Sequence, residues 1–88
     1  MSRIRRVNLE RMMLDGPALK FFGSLPTARQ VWMERIFEEI RTGQKSIYQS
    51  TLWDNLFYVF FEPYVARISI KNDVGYVLSI RPHTGSSP

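Results

Sequence analysis

The side chains best suited to chemistry in this sequence are two arginines and one histidine in its C-terminal third. Arg67 and Arg81 lie on two segments in which apolar and polar residues alternate, and His83 follows two positions after Arg81. Arginine presents a planar fork of N–H donors that fits a phosphate or a carboxylate. Histidine is the side-chain type that gains and loses a proton near neutral pH. The three together could cleave RNA without a metal ion, because the histidine moves protons while the arginines stabilise charge on the reacting phosphate.

A second set of basic residues lies in the N-terminal segment and could bind nucleic acid. Each phosphate contact that these side chains made would steepen the salt dependence of binding. Lys71 adds a positive charge to the same alternating segment as Arg67. Both sets also fit a plainer interpretation, because polar residues are expected on the solvent side of any antiparallel sheet. The N-terminal set consists of Arg3, Arg5, Arg6 and Arg11.

Composition limits the class of protein. The chain has 88 residues, of which 44% are hydrophobic, and 12 Lys and Arg against 8 Asp and Glu give a net charge of +4. This predicts one folded domain over residues 1–84, with a flexible tail over 85–88. The absence of cysteine excludes disulfide scaffolds, thiol nucleophiles and cysteine zinc sites, and the single histidine excludes a multi-histidine metal centre. We therefore expect no cofactor. No apolar run approaches the ~20 residues that a membrane span needs, so we also expect no membrane span and a soluble, cytoplasmic protein.

The N-terminal half predicts a short strand followed by one or two helices. Alternation over residues 3–9 indicates the strand, and Leu9, Met12 and Met13 then follow helical spacing. Gly16 and Pro17 interrupt this pattern, and a short helical turn over residues 18–22 follows. Residues 27–42 predict the longest helix, which begins with a Thr27–Gln30 capping box and ends at Gly43. Its predicted core stripe consists of Ala28, Val31, Trp32, Ile36 and Ile40, and it is widened by Met33 and Phe37.

The C-terminal half predicts a meander of strands. Residues 56–61 form an apolar run without alternation, which predicts a strand buried on both faces. The aromatic residues in and beside this run indicate core or interface packing rather than base stacking; they are Trp53, Phe57, Tyr58, Phe60, Phe61 and Tyr64. Residues 64–71 and 76–81 alternate and flank a hairpin connection. That hairpin would put Arg67 opposite Ser79, Arg81 opposite Val65, and Ser69 opposite Val77, with Tyr76, Leu78 and Ile80 on the apolar side.

Helices followed by strands predict an α+β fold. The short N-terminal strand and one or two helices would accompany a three- to four-stranded antiparallel sheet, with the helices on one face. Arg67, Lys71 and Arg81 would then lie on the opposite face, in solvent.

Two segments resemble the RelE/ParE toxin superfamily. Residues 18–26 read A-L-K-F-F-G-S-L-P before the long helix, similar to an A-L-K-x-L-x-x-L-P pattern of that family. Residues 76–83 are similar to the family's last strand, which often ends in an arginine and a nearby histidine. The resemblance covers roughly residues 3–84 and also includes the chain length and the order of elements.

The resemblance implies a small basic toxin of a toxin–antitoxin module. Many members cleave mRNA on the ribosome, some poison DNA gyrase, and each is silenced by a cognate antitoxin, here expected to be acidic. Arg81 matches the arginine that helps to stabilise the transition state, and His83 matches a histidine that some members use as acid or base. Arg67 lies on a strand where members often carry an arginine, although the family's Y-R-v-x-Y pattern reads Y-V-A-R-I here. Residues 56–61 are apolar where members usually carry basic residues.

The leading hypothesis is therefore a metal-independent, ribosome-associated endoribonuclease toxin with Arg67, Arg81 and His83 as catalytic residues. One alternative is a non-catalytic interaction protein, such as a phage- or host-encoded inhibitor or a small subunit of an assembly. In that case the apolar run 56–61 would be an interface strand covered by a protein partner. Another is a simple nucleic-acid-binding domain that uses the N-terminal arginines.

Overall fold

Two helices pack on one face of a six-stranded sheet in the computed structural model, which describes residues 3–83. The α+β class is thus confirmed, and two N-terminal strands extend the predicted three- to four-stranded antiparallel meander, which has four strands, to a sheet of six. The predicted tail over 85–88 lies outside the described residues. Within the described range, no helix is long and apolar enough to cross a membrane. The elements are β1 (Ile4–Arg5), β2 (Arg11–Leu14), α1 (Gly16–Gly23), α2 (Thr27–Arg41), β3 (Ile47–Gln49), β4 (Leu56–Phe61), β5 (Tyr64–Lys71) and β6 (Val74–Pro82).

The sheet order is β1-β3-β4-β5-β6-β2, so the first two strands lie at opposite edges. Strands β3 to β6 form an antiparallel meander, β1 pairs antiparallel with β3, and β2 pairs parallel with β6. The chain between β1 and β2 crosses the C-terminal end of α2. There the backbone N–H of Leu9 donates to the Arg41 carbonyl at 2.8 Å, and Arg41 Nη1 donates to the Leu9 carbonyl at 3.1 Å.

The helix predicted from Leu9, Met12 and Met13 is wrong, because this segment forms β2. Pairing with β6 outweighs the local helical spacing, as tertiary context often outweighs propensity. Met12 lies opposite Gly75, and a Cβ at position 75 would come within 2.5 Å of the Met12 sulfur. The bare glycine backbone therefore makes room for this side chain.

Helix α2 begins at Thr27, but the predicted capping box is absent. Pro26 occupies the N-cap position, and no side chain caps the helix. Gln30 Nε2 instead donates to the carbonyls of Phe22 and Leu25, at 3.0 and 3.1 Å, which fastens α2 to the end of α1. The helix ends at Arg41, one residue before the predicted end, and Gly43 follows it with φ +82° as expected.

The core lies between α2 and the inner face of the sheet, by which we mean the face toward the helices. Met33, Phe37 and Ile40 are the buried residues of α2, whereas Val31 is 54% exposed. The buried side of α2 is therefore centred on Met33 and Phe37, which the prediction placed at the margin of the stripe, and Val31 lies outside it. The buried strand residues of this core are Ile47, Phe57, Val59, Phe61, Tyr64, Ala66, Ile68, Val77 and Ile80.

Strand β4 alternates in burial, contrary to the prediction that both of its faces are covered. Phe57, Val59 and Phe61 are buried against the helices, while Phe60 is 45% exposed. Only one side of the sheet carries helices, so an all-apolar strand necessarily presents some side chains on the open side. We call that open side the outer face.

The β5–β6 hairpin contains an irregularity that sequence alternation did not predict. Asn72 and Asp73 both have positive φ, 52° and 64°, as a two-residue type I′ turn requires. The register then shifts between Arg67 and Ile68, which leaves Leu78 without a partner. Such a bulge changes the facing of residues on one side of it. Hence Val77 and Ile80 are both buried, and the prediction that grouped Tyr76, Leu78 and Ile80 on one side is wrong.

Candidate nucleic-acid interface

The sheet register places Arg67 and Arg81 on the outer face as neighbours. Arg67 pairs with Ser79 and Arg81 with Val65, as predicted, so the two arginines are diagonal across β5 and β6. Diagonal positions lie about 7–8 Å apart, close enough for two long side chains to hold one phosphate. Both arginines are exposed. Ser69 pairs with Tyr76 and not with Val77, because the bulge at Leu78 shifts the register there.

His83 extends this pair at the end of β6. Its backbone N–H donates to the Pro63 carbonyl at 2.6 Å, which holds the backbone at position 83 in place. Its imidazole packs against the Phe60 ring, with centroids 5.1 Å apart and planes tilted by 55°. The histidine is half-buried. The structure thus gives the one histidine a fixed position beside the strand that carries Arg81.

Aromatic rings form part of the same face. The sequence pattern predicts core or interface packing for Tyr58 and Phe60, and it does not single out Tyr48. Tyr48 and Phe60 are 44% and 45% exposed, and their rings meet edge to face with centroids 5.8 Å apart. Tyr58 pairs with Tyr48 on one side and Arg67 on the other. Because residues directly opposite one another in a sheet share a face, the outward position of Arg67 was a signal that could have placed Tyr58 and Phe60 there as well.

The charged side chains on strands β4, β5 and β6 of the outer face are all positive. Across β4, β5 and β6 the outward positions include Arg67, Lys71 and Arg81 and no carboxylate. Three of the glutamates lie instead on α2, on the other side of the sheet. Lys71 lies on β5 four residues from Arg67, about 13 Å away at ~3.3 Å per residue. A surface with this distribution attracts polyanions.

The N-terminal arginines are not brought together. Arg3, Arg5 and Arg6 lie at or beside β1, whereas Arg11 lies on β2 at the opposite edge, about 24 Å away at ~4.8 Å per strand. Arg6 Nη1 donates to the Gly43 carbonyl at 3.3 Å. The Arg3 Nε atom and the Gln49 Oε1 atom are both buried without a hydrogen-bond partner. These two residues are neighbours, because the backbone N–H of Gln49 donates to the Arg3 carbonyl.

A groove of about 630 Å³ between β2 and α2 does not coincide with this face. Of the predicted site residues, only Arg11 lines it. Its other charged lining residues are Glu10, Glu34, Glu38 and Arg41. A hydrogen bond from the Arg41 guanidinium lowers the pKa of the Glu38 carboxyl. This mixed, carboxylate-rich lining is poorly suited to phosphate, whereas an extended polymer can bind on the flat outer face without a cavity.

Comparison with protein-family models, with curated proteins and with solved structures finds no match for the chain. Its function is therefore inferred from the residues and their geometry.

Proposed function

We propose that this protein is a RelE/ParE-like toxin whose outer face binds and cleaves mRNA on the ribosome without a metal ion. The observation that carries the proposal is the diagonal placement of Arg67 and Arg81 on an uncovered sheet face, with His83 held beside Phe60. The order of elements supports it too, since two helices precede an antiparallel meander whose last strand carries Arg81. An antitoxin would silence such a toxin by covering this face.

The proposed reaction uses the 2′-hydroxyl of RNA as the nucleophile. His83 removes the proton of that hydroxyl while the 2′-oxygen attacks the adjacent phosphorus atom. The bond from phosphorus to the 5′-oxygen breaks, and the departing oxygen takes a proton from water. Arg67 and Arg81 stabilise the extra negative charge on the phosphate oxygens in the transition state. The products are a 2′,3′-cyclic phosphate and a 5′-hydroxyl.

Regulated expression in a bacterial host tests the proposal. The unaltered chain should arrest growth and produce cleaved mRNA, and the Arg81→Ala/His83→Ala double variant should do neither. Loss of a general acid or base typically lowers the rate 10²- to 10⁴-fold. Arg35→Ala, which changes an exposed arginine on α2, is the matched control and should remain toxic. Arrest that survives the double substitution would overturn the ribonuclease mechanism and favour a gyrase-type or other target.

A non-catalytic interaction protein is the second candidate, and the exposed apolar part of the outer face favours it. Ile4 pairs with Tyr48 and is 46% exposed, so apolar side chains continue from Phe60 to the edge of the sheet. Exposed apolar patches mark protein interfaces. If neither the unaltered chain nor the double variant arrests growth, this candidate is favoured, and a stable complex with a protein partner should then be detectable.

A further inference from the structure

The rings of Tyr48 and Phe60 point to a second binding element on the outer face. We propose that they form a platform on which unpaired bases stack, so that the face selects single-stranded over double-stranded RNA. This inference rests on the proposed function, because it assumes that the arginines beside the rings bind the phosphates of the same strand.

The rings are exposed but fixed in position. Phe60 contacts Tyr48 on one side and His83 on the other, with centroid distances of 5.8 and 5.1 Å. Nothing in the described part of the chain covers the outward side of either Tyr48 or Phe60, each of which leaves more than two fifths of its surface in water. A fixed aromatic surface binds a base at little cost in side-chain entropy.

The rings lie next to the positive charges that a strand would need. Phe60 pairs with Val65, and Val65 pairs with Arg81, so the phenyl ring and the guanidinium belong to one cross-strand row. The backbones of Phe60 and Arg81 are about 10 Å apart, two strand spacings of ~4.8 Å. Because both side chains extend from the same face, the ring and the guanidinium can come closer than their backbones. In the next row, Tyr58 lies between Tyr48 and Arg67. Rings thus occupy the β3–β4 half of the face and arginines the β5–β6 half.

Single-stranded RNA is the occupant that satisfies both halves. Its phosphates complement Arg67, Lys71 and Arg81, and its bases present the π-faces that stack on aromatic side chains. A duplex offers phosphates but keeps its bases stacked internally. An apolar protein surface would cover the rings but would leave the three cations unpaired.

The test measures binding of a fluorescein-labelled ten-nucleotide RNA with 2′-O-methyl groups, which cannot be cleaved, by fluorescence anisotropy over a range of NaCl concentrations. Tyr48→Leu and Phe60→Leu keep apolar bulk and remove the aromatic face. Each should weaken single-strand binding about 5- to 100-fold with an unchanged salt slope. Arg67→Gln and Arg81→Gln should each reduce the slope by about 0.7. Phe22→Leu, on α1, is the matched control and should bind as the unaltered chain does.

The same oligonucleotide annealed to its complement should bind at least ten-fold more weakly. Equal binding of duplex and single strand, or unchanged affinity of both leucine variants, would overturn the platform. If the arginine variants still lowered the salt slope, the proposed phosphate contacts would nevertheless stand. No binding of either RNA by the unaltered chain would overturn both proposals and would favour a protein as the occupant of this face.

Discussion

Deletion of Leu78 tests whether the bulge in β6 controls which side chains reach the outer face. Leu78 is the residue without a cross-strand partner, between the pairs Ile68–Val77 and Arg67–Ser79. Removing it makes Val77 and Ser79 adjacent, and every other pair can persist with Val77 and Ile80 inward and Arg81 outward. We therefore expect a folded protein with the outer face intact.

The expected cost follows from the burial of one side chain. Leu78 is half-buried, so its loss should remove about 1 kcal/mol, roughly half of the 1.5–3 kcal/mol for a fully buried apolar side chain. In a domain of this size that corresponds to a melting temperature lower by about 4–8 °C. Closing the bulge also recovers a regular strand, which offsets part of this loss.

The matched control is deletion of Tyr58, which lies in a regular part of β4. Deleting one residue reverses the facing of the residues either before or after the deletion. Either Phe57 or the pair Val59 and Phe61 therefore moves to the outer face. Exposing even one buried aromatic side chain costs about 3 kcal/mol, a large part of the ~5–15 kcal/mol stability of a typical domain.

Thermal unfolding followed by circular dichroism measures both deletions beside the unaltered chain. The Tyr58 deletion should unfold more than about 12 °C lower, or fail to fold. If deletion of Leu78 lowers the melting temperature as much as deletion of Tyr58, then Leu78 is not an extra residue in the pairing of β5 with β6.

Two further predictions concern the end of α2. Gly43→Ala should lower the free energy of unfolding by about 1–2 kcal/mol in urea titrations, because position 43 has φ +82° and its Cβ would lie 3.0 Å from a backbone oxygen. The control is Gly16→Ala, whose Cβ would meet no neighbouring atom within 4 Å. It should lower the free energy of unfolding less. The Glu38 carboxyl should titrate below its ordinary pKa of 4.5 in NMR measurements, because Arg41 hydrogen-bonds to its charged form. The contribution of this pair to stability is thus present above the unfolded-state pKa and is lost as pH falls through the lowered pKa. If the pKa of Glu38 were the same in the Arg41→Gln variant as in the unaltered chain, the Arg41 hydrogen bond would not be its cause.

The α+β class and the positions of α2 and of the β5–β6 hairpin could be predicted from the sequence. These elements are specified locally: α2 by its apolar periodicity and by Gly43, and the hairpin by alternation around Asn72 and Asp73. Because Arg67 and Arg81 both lie on this hairpin, their placement on neighbouring strands was predictable as well.

Tertiary structure decided the rest, because those features depend on residues distant in sequence. Residues 11–14 are a strand only because β6 pairs with them, although their own spacing is helical. The exposure of Phe60 depends on which side of the sheet the helices cover, and the local sequence of β4 is apolar on both sides. The bulge at Leu78 depends on the pairing between β5 and β6, and the separation of Arg3 from Arg11 depends on the order of strands across the whole sheet.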